Sequence, residues 1–179
     1  MPINKQFVPV TEAHSSAQLS EWINAQDSLT ERLKRSTGEA QLELLNQQWV
    51  TPDQWDRHLL QIDDPLIFER NIIMKSQGIV YWYARSIIPQ KCYDLDPLFF
   101  NRLQKESIKN LIFDEVNVQR INFITYPAND QCPEFHWVKK YINVVHGILW
   151  VRLAEFLFQQ KESFYLVEIL LPALENTHL

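Results

Sequence analysis

The 179-residue chain holds only 3 glycines and 2 cysteines, has no long apolar run and carries no excess of basic residues. Gly38, Gly78 and Gly147 stand far apart. Dinucleotide-binding, P-loop and nucleophile-elbow motifs each need at least two glycines within a few residues, so nucleotide-dependent chemistry loses its usual signature. With 22 acidic against 17 basic residues the formal net charge is -5, which argues against nucleic acid as a partner, because that binding rests on neutralising phosphates. A small organic anion is not excluded, since a local cluster of charge can oppose the net charge. Cys92 and Cys132 form neither a CxxC pair nor a disulfide framework, so a cytoplasmic setting is expected. Residues 1–10 lack the apolar core of a signal peptide. No stretch approaches the roughly 18 consecutive apolar residues of a membrane span, and no membrane insertion is expected.

What the chain does have is grease: 46% hydrophobic and 12% aromatic residues. That suffices for a chain of this length to bury roughly 70% of the surface its unfolded form exposes. No internal repeat or linker marks a boundary, so residues 1–179 are expected to form a single domain, with 1–15 and 175–179 loosely held. Leu19, Trp22 and Ile23 share a helical face, and Asp27 or Ser28 is placed to cap a second helix that Gly38 stops. Residues 39–50 alternate as a strand. Thr51, Pro52 and Asp53 read as cap, first position and first-turn acid of a short helix. Strands over 66–75 and 79–88 should form a hairpin turning at Gln77 and Gly78. An amphipathic helix over 97–106 and a second helical segment over 107–115 follow. Strands over 118–126, 148–158 and 163–171 close the chain, the last two as a hairpin through 159–162. Helices bunched between hairpin-joined strands indicate an α+β fold.

Strand alternation puts several charges where the pattern wants apolar residues. Arg70 shares a face with Leu66, Phe68, Ile72 and Met74, and Glu168 with Phe164, Leu166 and Leu170. Arg152 and Arg85 also lie in apolar strand runs. A buried unpaired charge costs several kcal/mol, so each must find a partner, lose its charge or meet a ligand. Two readings stay open for Arg70 and Glu168. They pair with each other or reach solvent, or they line a closed anion pocket in which Arg70 grips a carboxylate through its planar fork and Glu168 hydrogen-bonds a hydroxyl. Cys132, His136 and His146 have metal-like residue types but no second motif, and no metal site is expected. The tryptophans Trp22, Trp82 and Trp150 are expected in the core, His14 and His58 in solvent, and Lys139 and Lys140 as loop charges. No serine occupies a nucleophile turn.

Four blocks carry a resemblance to a known family: W-I-N-A-Q-D-S-L-T-E-R-L from Trp22, F-E-R-N-I-I-M around Arg70, Y-A-R-S-I-I-P ending at Pro89, and F-Y-L-V-E-I-L-L-P-A containing Glu168. In these blocks and in their order the chain resembles the chorismate lyase (chorismate pyruvate-lyase) family, from about Trp22 to Ala173. The resemblance implies a single antiparallel sheet with helices packed on it and helical flaps over an internal ligand cavity. It implies the conversion of chorismate to 4-hydroxybenzoate and pyruvate without metal or organic cofactor, as the first committed step of ubiquinone biosynthesis in the bacterial cytoplasm, by a protein expected to be a monomer. It places the ring-carboxylate arginine on Arg70, the hydroxyl-binding glutamate on Glu168, carboxylate-binding backbone amides on Leu29 and Ile108, and a supporting arginine on Arg85, which with Arg152 would neutralise the departing enolpyruvyl carboxylate. The chain departs from the family at Ser107-Ile108-Lys109, where P-L-G is usual, and at V-R-L-A ending in Ala154, where R-R-S is common. The alternative is a non-catalytic, sensor-like domain of the same fold that binds a small aromatic carboxylate; such sensors carry a DNA-binding domain, for which there is no room before residue 17.

Overall fold

The computed structural model describes residues 3–9, 12–114, 116–143 and 147–177. Six strands form one antiparallel sheet: β1 (Gln41–Val50), β2 (Ile67–Ser76), β3 (Ile79–Pro89), β4 (Val118–Ala128), β5 (Leu149–Phe158) and β6 (Glu162–Leu170), in the order β1-β2-β3-β6-β5-β4. The β2–β3 hairpin turns at Gln77 and Gly78, both with positive φ (50° and 79°), the geometry that matches the right-handed twist of the flanking strands. The second hairpin uses Gln159 and Gln160, again at positive φ, to return β5 into β6.

The helices are α1 (Ala17–Ile23), α2 (Leu29–Thr37), α3 (Gln54–Leu59), α4 (Gln90–Tyr93), α5 (Pro97–Asn101), α6 (Ile108–Asp114) and α7 (Pro133–Lys139). Ser16 and Ser28 cap α1 and α2 by accepting from the Leu19 and Glu31 amides, and Gly38 ends α2 in the left-handed conformation at φ 92°. The cap of α3 is Asp53, two residues later than the Thr51 reading. Asp53 and Asp56 form a reciprocal capping box, whose two side-chain bonds outweigh the signal of Pro52. The expected 97–106 helix breaks after Asn101 and tightens into a 3₁₀ turn at Arg102–Gln104. Helix α7, unforeseen in the sequence, starts with Pro133 at its first turn and buries Phe135 and Val138, three residues apart on one face.

Each face of the sheet has its own core. On the first, Trp22, Leu33, Trp82, Phe100, Leu111 and Phe164 pack between the strands and α1, α2, α5 and α6. On the second, Leu59, Ile67, Phe135, Val138 and Val151 pack beneath α3 and α7. Two residues near the ends, expected to be loose, are tied in: Ile3 is buried in the second core, and Thr177 is buried where its hydroxyl accepts from Trp22 Nε1 at 3.0 Å. Among the described residues no helix is long and apolar enough to cross a membrane.

The register contains a bulge in β4. Arg120 pairs with Phe156 and Asn122 with Glu155, leaving Ile121 as the extra residue. Beyond it Phe123 pairs with Ala154. Strict alternation would put Arg120 and Phe123 on opposite faces; the bulge puts both on the first face, with Ala154 and Phe156.

Candidate active site

Arg70 projects from the middle of β2 onto the first face, between Gln47 of β1 and Ser86 of β3, its uncharged cross-strand neighbours. The residue is 5% exposed, and among the described residues no hydrogen bond or ion pair reaches its guanidinium. Its Nε is fully buried without a partner. Burial pulls the group below its ordinary pKa with nothing to compensate. A cation in this condition costs several kcal/mol, a cost that an anionic ligand would offset.

Glu168, on β6, lines the same pocket but is not the partner of Arg70. Its cross-strand neighbour Arg152 donates from Nε to Glu168 Oε1 at 3.2 Å. Arg152 is itself fixed by Nη1, which donates to the Trp22 and Ile23 carbonyls at 2.6 and 3.1 Å. Those carbonyls end α1, where the helix dipole favours a cation. Its guanidinium also lies over the Phe123 ring at 5.0 Å. Glu168 therefore has one oxygen held by a rigid arginine.

The pocket between them has a volume of ≈ 50 Å³ and is walled by Trp82, Ala84, Leu166 and Ile112. Leu29 and Ile108 line it too, at the first positions of α2 and α6, where a peptide N–H has no intrahelical partner. A second lobe of ≈ 40 Å³ shares Leu29, Ile112, Leu166 and Glu168 and adds Arg120, Phe123, Arg152 and Phe156. An engineered cavity that admits benzene measures about 150 Å³, so an aromatic acid enters only if a wall moves. One of those walls, α6, is joined to α2 by the ion pair of Lys109 Nζ with Glu31 Oε1 at 2.6 Å.

The sequence profile of the family described as chorismate lyase matches residues 1–174. The chain belongs to the chorismate lyase family. A probable chorismate pyruvate-lyase of Pasteurella multocida (strain Pm70) is 30% identical over 87 residues, which cover 48% of this chain and 51% of that protein, so the chain spans about half the length of this curated relative. Solved structures with the same fold include a GntR-family transcriptional regulator from Bacillus cereus (TM-score 0.56, 13% identity, 78% of this chain and 95% of that one). They also include the ligand-binding domain of a putative GntR-family transcriptional regulator from Bordetella bronchiseptica (TM-score 0.54, 12% identity, 79% and 88%). Identities this low establish the fold alone.

Of the residues singled out in this chorismate lyase family chain, Arg70, Glu168, Leu29 and Ile108 come together. Arg85 does not join them. It pairs with Asn71, one residue out of step with Arg70 and Ser86, and so projects from the second face. There its Nη1 and Nη2 meet Asp56 at 2.8 and 3.1 Å, its Nε meets Glu69 at 3.0 Å, and Trp55 and Trp137 flank it. Burial opposes the Arg85 charge, but the Asp56 carboxylate, joined by Glu69, outweighs it and holds the group above its ordinary pKa. The departures from the family pattern also touch the pocket: Lys109 supplies the tie to α2, and Ala154 lines the second lobe. Cys132 precedes α7 with its thiol on Asn129, His136 is exposed on that helix, and His146 lies outside the described residues.

The sequence reading missed Arg120. A basic residue in a polar stretch of β4 gives no sign of facing inward, and only the bulge turns it there. A larger pocket, ≈ 540 Å³, opens on the second face around Asp63, Asp64, Glu155 and Glu162. Its acidic lining and the pairing of Lys91 with Asp63 make it a poor receptor for an anion.

Proposed function

We propose that the protein is a chorismate lyase, eliminating pyruvate from chorismate to leave 4-hydroxybenzoate. The observation that carries this reading is Arg70, a buried guanidinium without a partner among the described residues, in one pocket with an arginine-held glutamate. The ring carboxylate of chorismate docks on Arg70 and on the amides of Leu29 and Ile108, and the 4-hydroxyl hydrogen-bonds Glu168. Two anchors at opposite ends of the ring fix its orientation, which is the main task when the substrate stores its own driving force. The ring gives up the hydrogen on its hydroxyl-bearing carbon, and the ether bond to the neighbouring carbon breaks with its electron pair going to the enolpyruvyl oxygen. The enolpyruvyl methylene takes up a proton to become the methyl of pyruvate. The product ring is aromatic, and no oxidant, metal or organic cofactor enters the balance.

Glu168 orients the hydroxyl and stands within reach of a proton at that end. Arg152, acting through Glu168, is a positioning residue. Closure of α6 excludes water and strengthens each charged contact. Because 4-hydroxybenzoate keeps both groups that the pocket reads, product leaves slowly and its release limits turnover. The same reading places the reaction at the first committed step of ubiquinone biosynthesis, in the cytoplasm.

The test is direct. Purified protein mixed with chorismate should yield 4-hydroxybenzoate absorbance and an equal amount of pyruvate. Tight binding of 4-hydroxybenzoate with no turnover of chorismate would overturn the lyase reading in favour of a ligand-binding domain of the same fold.

A further inference from the structure

Chorismate carries two carboxylates, one on the ring and one on the enolpyruvyl group, and Arg70 accounts for one. Among the described residues lining the two lobes there are four cations, Arg70, Lys109, Arg120 and Arg152, against two carboxylates, Asp27 and Glu168. The surplus of two positive charges matches a dianion, in a chain whose net charge is -5.

Two of the four cations are already engaged. Lys109 is paired with Glu31, and Arg152 is divided between Glu168 and the carbonyls that end α1. Asp27 does not repel an incoming anion strongly, since Arg32 Nε and Arg35 Nη2 donate to its two oxygens at 2.5 and 3.4 Å. That leaves Arg120. It is half-buried, stacks over Phe123 at 4.9 Å, and no carboxylate pairs with it among the described residues; its one hydrogen bond goes to the neutral Gln26 side chain. Burial and the neighbouring Arg152 both pull its pKa below the ordinary value, with Glu168 opposing them only in part. It faces this lobe because of the bulge at Ile121, a device that re-aims a side chain beside a site.

Resting on the lyase reading, we infer that Arg120 is the second anion-binding residue, receiving the enolpyruvyl carboxylate in the lobe beyond Glu168 while Arg70 holds the ring carboxylate in the other. This role falls to Arg120 rather than to Arg85, which the sheet separates from the pocket. The carboxylate replaces Gln26 on the guanidinium fork and, when the ether bond breaks, leaves as pyruvate on the Arg120 side. Arg120 thus distinguishes the dicarboxylate substrate from the monocarboxylate product.

The experiment compares chorismate with 4-hydroxybenzoate in the full chain and in Arg120→Met and Arg120→Lys. Loss of a charge-assisted contact predicts that Arg120→Met lowers kcat/KM for chorismate by about 10- to 100-fold. The dissociation constant for 4-hydroxybenzoate should stay within about twofold, because the product has no group at that end. Arg120→Lys, which keeps the charge, should recover part of the loss. An unchanged kcat/KM in Arg120→Met overturns the inference, as does an equal weakening of substrate and product. Failure of the lyase reading shows separately, in the wild type. If it binds chorismate without turnover, the same comparison made on dissociation constants still decides Arg120; if it binds neither ligand, both fall.

Discussion

Arg70 and Arg85 stand one step out of register on neighbouring strands, each 5% exposed, and point to opposite faces of one sheet. Arg85 is held by two carboxylates and flanked by two indoles. Arg70 has none of this among the described residues. Equal burial with unequal partnership separates a charge that the fold uses from one that, on the proposed reading, is kept for a ligand. The first face repeats that contrast: its Glu168 carboxylate is held by Arg152, and Arg120, which no carboxylate pairs among the described residues, is turned in by a bulge.

The comparison can be broken by exchanging the two roles. Arg85→Met should destabilise the protein by about 3–5 kcal/mol in urea unfolding, because Asp56 is left buried without its counter-ion. Arg70→Met should leave stability unchanged or higher, since it removes an uncompensated charge, yet lower kcat/KM for chorismate by about 100-fold, close to 3 kcal/mol. Equal loss of stability in both variants would end the distinction. Glu168→Gln keeps the volume and removes the charge that Arg152 holds; kcat should fall by about 100-fold with a smaller change in KM, read in steady-state kinetics.

Smaller effects sharpen the contrast. Asp53→Ala removes half of the capping box beneath the second face and should cost about 1 kcal/mol in thermal unfolding, with activity unchanged. The weakest effect concerns the tie between α2 and α6. Hydrogen bonds from Lys109, then Lys34, hold the Glu31 carboxyl below its ordinary value of 4.5. A lowered folded-state value means that the contribution is present above pH 4.5 and disappears as pH falls through the lowered value. The stability difference between wild type and Glu31→Gln should accordingly be seen at pH 6 and vanish in acid, and a difference that persists in acid would show that Glu31 acts other than by its charge.

Much of this was legible in the sequence because period-2 alternation is robust in hairpins. Gln77 and Gly78 fixed the register of β2 against β3, and the placement of Arg70 and Glu168 on apolar faces followed. The choice between a mutual ion pair and a shared pocket was not legible, because it depends on β5. Register alone puts Arg152 opposite Glu168, and no local pattern announces which of two arginines a glutamate will meet. Asp56 reads as a first-turn acid on a surface helix, yet it is fully buried as the counter-ion of Arg85, an encounter across 29 residues. Arg120 escaped for a different reason: alternation itself points it the wrong way.

That last point concerns length rather than composition. The extra residue in β4 is Ile121, whose own side chain is 47% exposed, and replacing it would change little that a stability or activity screen could detect. Deleting it would restore unbroken alternation and carry Arg120 out of the pocket with every side chain intact. On the proposed reading, part of what this site would recognise is thus written in the number of residues between two points of a strand, where substitution scans do not look and a single-codon deletion does.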